Sequence, residues 1–251
     1  VTAGRRARFV LFDYGNTLVP YGMREAAEVD RVLAVAVARR VPGADASRLL
    51  PEVARVRDAL IRGTRTTGRE VTSADLTRAL AAAAGAGEPP PGLEAELEAG
   101  AGEAFVACLR LPPDTLPVLD ALAARYRLGV VSNYYLPRPL LHSLERLGIA
   151  ARLEAAVVSG EVGWVKPRPE PFREALRRLG AEPAECIFVG DNLHADVGGA
   201  GALGMRTVHT REWIGGALAL DLADQEGGGR PDAVIERLAE LPAALEAMEE
   251  R

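Results

Sequence analysis

A parallel α/β sheet of Rossmann-like type, with helices on both faces and a helical segment inserted after its first strand, is the fold that this 251-residue chain predicts. Three observations carry that expectation. Short β-rich apolar runs at residues 9–12, 128–131, 156–158 and 187–189 each end in polar or glycine residues: Asp13, Ser132, Ser159 and Gly190-Asp191. Helical patterns at residues 115–125, 138–147 and 170–179 lie between most of these runs, so strand and helix alternate. Residues 20–112 break that rhythm, being nearly free of strand signal and rich in Ala, Leu, Glu and Arg at helical spacing.

Each element has its local justification. The insert reads as helices near residues 24–40, 46–62, 74–84 after a Ser73 cap, and 93–109, with residues 85–92 as a Pro/Gly loop. Shorter strands are expected at residues 207–209 and 233–235, a glycine-rich loop at 224–231 and a closing helix at 241–250. The expected division is a core domain of residues 1–19 and 113–251 around an insert of residues 20–112. No internal repeat is visible.

Composition narrows the function. An apolar share of 48% suits a sizeable core, and a formal charge of -5 gives no basic field for wrapping nucleic acid. Cys108 and Cys186 lie far apart in apolar surroundings without metal-ligand spacing, as expected of reduced thiols in a cytoplasmic protein. The start is basic, but the apolar run behind it stops at Asp13, too short for a signal peptide or membrane span. A soluble intracellular protein without nucleic-acid or membrane partners is the expectation; oligomeric state is not readable.

In open parallel sheets the ligand crevice lies at the carboxyl ends of the strands, where Asp13, Ser132 and Asp191 all fall. Lys166 is the one lysine among 30 basic residues; the other 29 are arginines. A lysine kept against so strong an arginine bias points to a position that needs a compact ammonium rather than a planar fork.

Four signals then stand in order: Phe12-Asp13-Tyr14-Gly15-Asn16-Thr17-Leu18, Val131-Ser132-Asn133, Lys166-Pro167, and Gly190-Asp191 followed by Asp196. Singly each has a bland reading, since Asp at a strand end is often a turn former. As an ordered set spanning the chain they resemble the haloacid dehalogenase superfamily, and the helical insert is similar to the cap of its first cap class. Most members are magnesium-dependent phosphatases acting on small phosphorylated compounds.

The resemblance implies roles residue by residue. Asp13 is the nucleophile that forms an aspartyl phosphate. Asp13, the Gly15 carbonyl, Asp191 and Asp196 hold magnesium (Mg2+). Lys166 neutralises phosphoryl charge and Ser132 hydrogen-bonds it. Asn133, Tyr14 and Thr17 join the substrate-binding surface, with Thr17 bracing the loop.

One position departs. The family's phosphatases carry a second Asp two residues after the nucleophile, as general acid and base; here that position is Gly15. The alternatives are a substrate with a good leaving group or an acid from elsewhere, a chemistry like that of the 2-haloacid dehalogenases, or a phosphate-binding protein with little turnover. Phosphonoacetaldehyde hydrolase chemistry needs a cap lysine, and no lysine exists outside Lys166. Dehalogenases carry Tyr where Gly15 stands. Arg62, Arg65 and Arg69 are candidate anion contacts, and Tyr14, Tyr21, Tyr134 and Trp164 candidate crevice walls. Asn192 and His194 are loop polar or supporting residues, His142 reads as helix surface and His209 as a strand end. Arg168 stands where relatives usually have Asp after Lys-Pro.

Overall fold

The computed structural model describes residues 7–216 and 228–250. Its sheet has six strands, all parallel, in the order β3-β2-β1-β4-β5-β6: β1 (Phe9–Phe12), β2 (Arg127–Ser132), β3 (Ala155–Val158), β4 (Cys186–Gly190), β5 (Arg206–Thr210) and β6 (Ala233–Ile235). The chain thus leaves β1 to build first one side and then the other. The reversal puts the crevice above the carboxyl end of β1.

Apolar alternation explains why β1 is central. Its four residues are fully buried, and successive side chains point to opposite faces. Val10 and Phe12 enter the core shared with the insert, while Phe9 and Leu11 enter the core on the other face. Between β1 and β2 run α1 (Met23–Arg40), α2 (Ala46–Thr67), α3 (Ser73–Ala83), α4 (Leu93–Cys108) and α5 (Thr115–Ala123). Val29, Leu33 and Val37 of α1 and Leu93, Leu97, Ala101 and Phe105 of α4 recur every fourth residue and are buried, so α1 and α4 meet along one apolar stripe. Where the insert leaves and returns, Thr115 Oγ1 donates to the Leu18 carbonyl at 2.9 Å, pinning both crossings together. Downstream lie α6 (Pro137–Arg146), α7 (Ser159–Val162), α8 (Pro169–Leu179), α9 (Gly199–Ala202) and α10 (Leu241–Glu249).

Local capping accounts for most departures from expectation. α3 begins one residue early because Thr72, not Ser73, is its cap: Thr72 Oγ1 accepts the Asp75 N-H and Asp75 Oδ2 accepts the Thr72 N-H, each at 3.1 Å. α2 continues five residues past 62 until Gly68 at φ 73 ends it in the left-handed region. The short α7 and a π-helical turn at Leu193–Gly198 were not foreseen. Residues 224–227 of the expected glycine-rich loop lie outside the described residues. Both cysteines are free thiols, and among the described residues no helix is long and apolar enough to cross a membrane.

Asp30 of α1 is buried against Arg57 of α2, which also contacts Asp58 at 3.1 Å. Burial pushes the Asp30 carboxyl up to about 6 despite the guanidinium beside it. As pH rises from 3.8 to about 6, the unfolded chain releases a proton that the folded chain still holds, so this group's stabilisation is lost by up to about 3 kcal/mol. Asp30→Asn should flatten the difference profile over that window, as read by urea midpoints of both proteins against pH.

Candidate active site

Asp13 is the first residue beyond β1, and its N-H still donates to the Val189 carbonyl at 2.9 Å. The chain then folds back tightly: Tyr14 O accepts the N-H groups of Leu18 and Val19 at 2.9 and 3.2 Å, and the Asn16 N-H donates to Val19 O at 2.7 Å. Asn16 adopts φ 57, a left-handed conformation that Asn tolerates, and its Oδ1 accepts the Tyr21 N-H at 3.0 Å. Tyr14 borders the crevice, but its hydroxyl pairs at 2.7 Å with Ser143 in the core. Thr17 is fully buried outside the crevice lining, and its Oγ1 makes no hydrogen bond.

Lys166 reaches Asp13 from the opposite wall. Its Nζ donates to Asp13 Oδ1 at 2.7 Å and Asp196 Oδ1 at 2.6 Å, and lies 5.2 Å from the Phe188 ring centroid. Asn133, just past β2, holds the lysine's main chain at both ends. Its Oδ1 accepts the Lys166 N-H at 2.8 Å and its Nδ2 donates to the Lys166 carbonyl at 3.1 Å. The side chain expected on substrate is therefore spent on positioning the ammonium. Ser132, the last residue of β2, borders the crevice.

The third wall follows β4. Asn192 Oδ1 caps the π-helical turn through the N-H groups of His194 and Ala195 at 3.0 and 2.8 Å. That turn folds Asp196 back, so its Oδ2 accepts the Asn192 N-H at 3.0 Å. A Cβ at Gly190 would come 2.3 Å from Asp196 Oδ2, so only glycine lets the carboxylate approach the strand end. His209 of β5 is buried with Nε2 2.9 Å from the Asp191 carbonyl, fixing that residue's main chain. His194 is exposed on the crevice rim, and His142 lies on the α6 surface.

One oxygen each from Asp13, Asp191 and Asp196 lies within 4.8 Å of the others, all three residues being buried. Burial pushes Asp13 up to about 6; Lys166 and the Tyr14 N-H pull it down, and Asp196 adds to the rise. Burial works against the Lys166 charge, but the two carboxylates outweigh it and hold its pKa above the ordinary value. Three buried carboxylates gathered beside one ammonium present hard oxygen donors that fit a small divalent cation.

The insert contributes a contact that motif reading did not find. Residues 68–70 run antiparallel to 163–165: Val165 N-H donates to Gly68 O at 2.9 Å, and Glu70 N-H to Gly163 O at 3.1 Å. Trp164 lies between the Arg69 and Arg168 guanidinium groups, 4.5 and 4.4 Å from its ring centroid. This gives Arg168 a physical role, reinforced by its ion pair with Glu170 at 2.7 Å. Gly68 is favoured by its φ of 73, and a Cβ there would also displace the Arg168 side chain, whose Cδ it would meet at 2.8 Å. Glu70 accepts from Ser159 Oγ, and burial raises its pKa.

The crevice measures about 460 Å³. Tyr21, Tyr134 and Arg65 border it as expected, joined by Phe105 and Tyr135; Trp164 and Arg62 do not. Phe105 was masked by its helical spacing, which reads as ordinary core.

Carboxylates gathered with one ammonium on the carboxyl edge of a parallel sheet place the chain in the α/β class whose sites lie on that edge. It belongs to the haloacid dehalogenase-like hydrolases, whose family model matches residues 7–204. Among curated relatives, glyceraldehyde 3-phosphate phosphatase of Methanopyrus kandleri is 35% identical over 155 residues, covering 61% of this chain and 64% of that protein. Pyrophosphatase PpaX of Bacillus velezensis is 37% identical over 124 residues, covering 49% and 54%. The match thus spans about half to two thirds of these relatives' length. Two solved structures share the fold: 2-haloacid dehalogenase from Pseudomonas syringae (24% identity, TM-score 0.68, 96% and 99% coverage) and magnesium-bound HAD-hydrolase YfnB from Bacillus subtilis (19%, 0.66, 96% and 99%).

Asn133→Ala would leave the Lys166 N-H and carbonyl without their partners. A loss of about 1–3 kcal/mol in unfolding free energy is expected by urea denaturation.

Proposed function

We propose that this protein is a magnesium-dependent phosphohydrolase of a small phosphorylated organic compound, working through an aspartyl phosphate on Asp13. The observation that carries the reading is the buried Asp13 carboxylate, 2.7 Å from the Lys166 ammonium and grouped with Asp191 and Asp196. Relatives named as phosphatases and the ordered motifs support it.

Asp13, Asp191, Asp196 and the Gly15 carbonyl would hold the cation. When bound, magnesium supplies positive charge to the phosphoryl oxygens. One Asp13 oxygen attacks phosphorus as the bond to the leaving oxygen breaks; water then displaces Asp13 and releases phosphate. Lys166 offsets the charge of the incoming dianion, and Ser132 donates a hydrogen bond to a phosphoryl oxygen. Asn133 acts through Lys166, and Thr17 and Tyr14 through the loop that aims Asp13. Residues 20–112 serve as the cap that closes the crevice and excludes water.

The leaving oxygen receives no proton from position 15. A Cβ there would meet only Tyr21 Cβ, at 3.5 Å, an ordinary contact, so the backbone has room for a side chain's first atom. Gly15→Asp should raise turnover of alkyl phosphomonoesters on the order of 10²- to 10⁴-fold, as general acid help typically does, measured by phosphate release.

The deciding assay is phosphate release from phosphomonoesters and acetyl phosphate, with and without magnesium, beside Asp13→Asn. Release that needs magnesium and disappears in the variant is expected. Metal-independent chloride release from a 2-chloroacid, with no phosphate release, would select dehalogenase chemistry instead.

A further inference from the structure

We infer that the leaving group of this site is an aryloxide, so that the substrate is an aryl phosphate monoester. The inference rests on the phosphohydrolase reading and adds the class of group that sits above the nucleophile.

Two unrelated observations converge on it. The first is the wall of the crevice. Phe105 of α4 stacks on Tyr134 with ring centroids 4.2 Å apart and planes at 24°, and Tyr21 and Tyr135 flank that pair, each at 5.4 Å from one of its rings. All four border the cavity that contains Asp13, and Val29, Leu33 and Val53 extend its lining. Such rings favour a flat apolar guest in offset or edge-on contact. Tyr134 Oη is buried within this wall without a hydrogen-bond partner, although the Tyr134 N-H is fixed on Ser159 Oγ at 2.8 Å. A rigidly held, unpaired phenol beside stacked rings fits an aromatic guest with one polar substituent. Of the arginines bordering the cavity, Arg57 is committed to Asp30 and Asp58, Arg168 to Glu170, and Arg65 is also engaged rather than free.

The second observation is chemical. Gly15 stands where an acid would, so position 15 gives the departing oxygen no proton and a leaving group that can depart as its anion is favoured. An aliphatic alkoxide is about as basic as hydroxide, whereas a phenolate, the conjugate base of an acid with a pKa of about 10, is weaker by several powers of ten. In the balanced sequence, an Asp13 oxygen-phosphorus bond forms while the phosphorus-oxygen bond to the ring breaks, and the phenolate leaves with the electron pair. Water then adds to phosphorus, the Asp13 carboxylate is regenerated, and the water's protons pass to phosphate and solvent. Stacking and leaving-group basicity thus both favour aryl over alkyl esters, for separate reasons.

The test has a kinetic and a binding arm. Phosphate release with magnesium is compared for 1-naphthyl phosphate, phenyl phosphate, glycerol 3-phosphate and acetyl phosphate. Both aryl esters should exceed glycerol 3-phosphate in kcat/KM by at least about tenfold, the scale of one good ring contact plus its buried area, while acetyl phosphate, whose leaving group is less basic than a phenolate, reports turnover without a ring contact. Affinity of the unmodified protein is measured for benzylphosphonate and methylphosphonate with magnesium, expecting at least about tenfold tighter binding of the aryl compound. Phe105→Leu should erase much of that ratio. Tyr134→Phe, which removes one oxygen from a ring that stays packed, should specifically weaken a hydroxyl-substituted benzylphosphonate.

Acetyl phosphate turnover without aryl preference in either arm would overturn the inference and leave the phosphohydrolase standing. No phosphate release with preferential benzylphosphonate binding would overturn the phosphohydrolase and retain the arene subsite. Failure of both arms would overturn both.

Discussion

The contact on which the site depends is the buried bond of one ammonium to two carboxylates, Lys166 Nζ to Asp13 and Asp196. Removing these groups from water costs several kcal/mol per ion, so the arrangement persists only because the surrounding backbone holds it in good geometry. That backbone comes from four directions: the end of β1, Asn133 beyond β2, the π-helical turn after β4, and the insert strand beside Trp164. An arginine would bring a larger planar head into a space where two carboxylates and a phenyl ring already touch the ammonium. The one lysine of the chain therefore stands where its shape matters.

Much of this was legible in the sequence because parallel sheets obey local rules. Apolar runs ending in Asp13, Ser132 and Gly190-Asp191 are backbone patterns, and the sheet brings their ends together whatever the intervening chain does. The less legible features are contacts between distant segments. Nothing local distinguishes Asn133 as a clamp on residue 166, Tyr14 as a partner of Ser143, or Trp164 as the filling between two guanidinium groups. Phe105 likewise sits in a regular helical stripe that reads as core, and it is core on one side and crevice on the other.

Gly15 shows how an absent side chain shapes a site chemically as well as sterically. In the same crevice, apolar rings line one part of the wall and three buried carboxylates gather on another. Low-polarity surroundings screen a buried charge less than water does, so contacts at that boundary are strengthened. The cost is desolvation, which raises the Asp13 pKa to about 6 even with the Lys166 ammonium beside it.

The pairing of residues 68–70 with 163–165 couples entry to charge. An insert that swung away from the sheet would break the bonds from Val165 and Glu70 and unstack Trp164, all on the segment that leads into Lys166. Opening the door would therefore also slacken the hinge on which the ammonium hangs. Solvent and the fully assembled charge cluster would then seldom meet, and the site would be tuned only while it is shut.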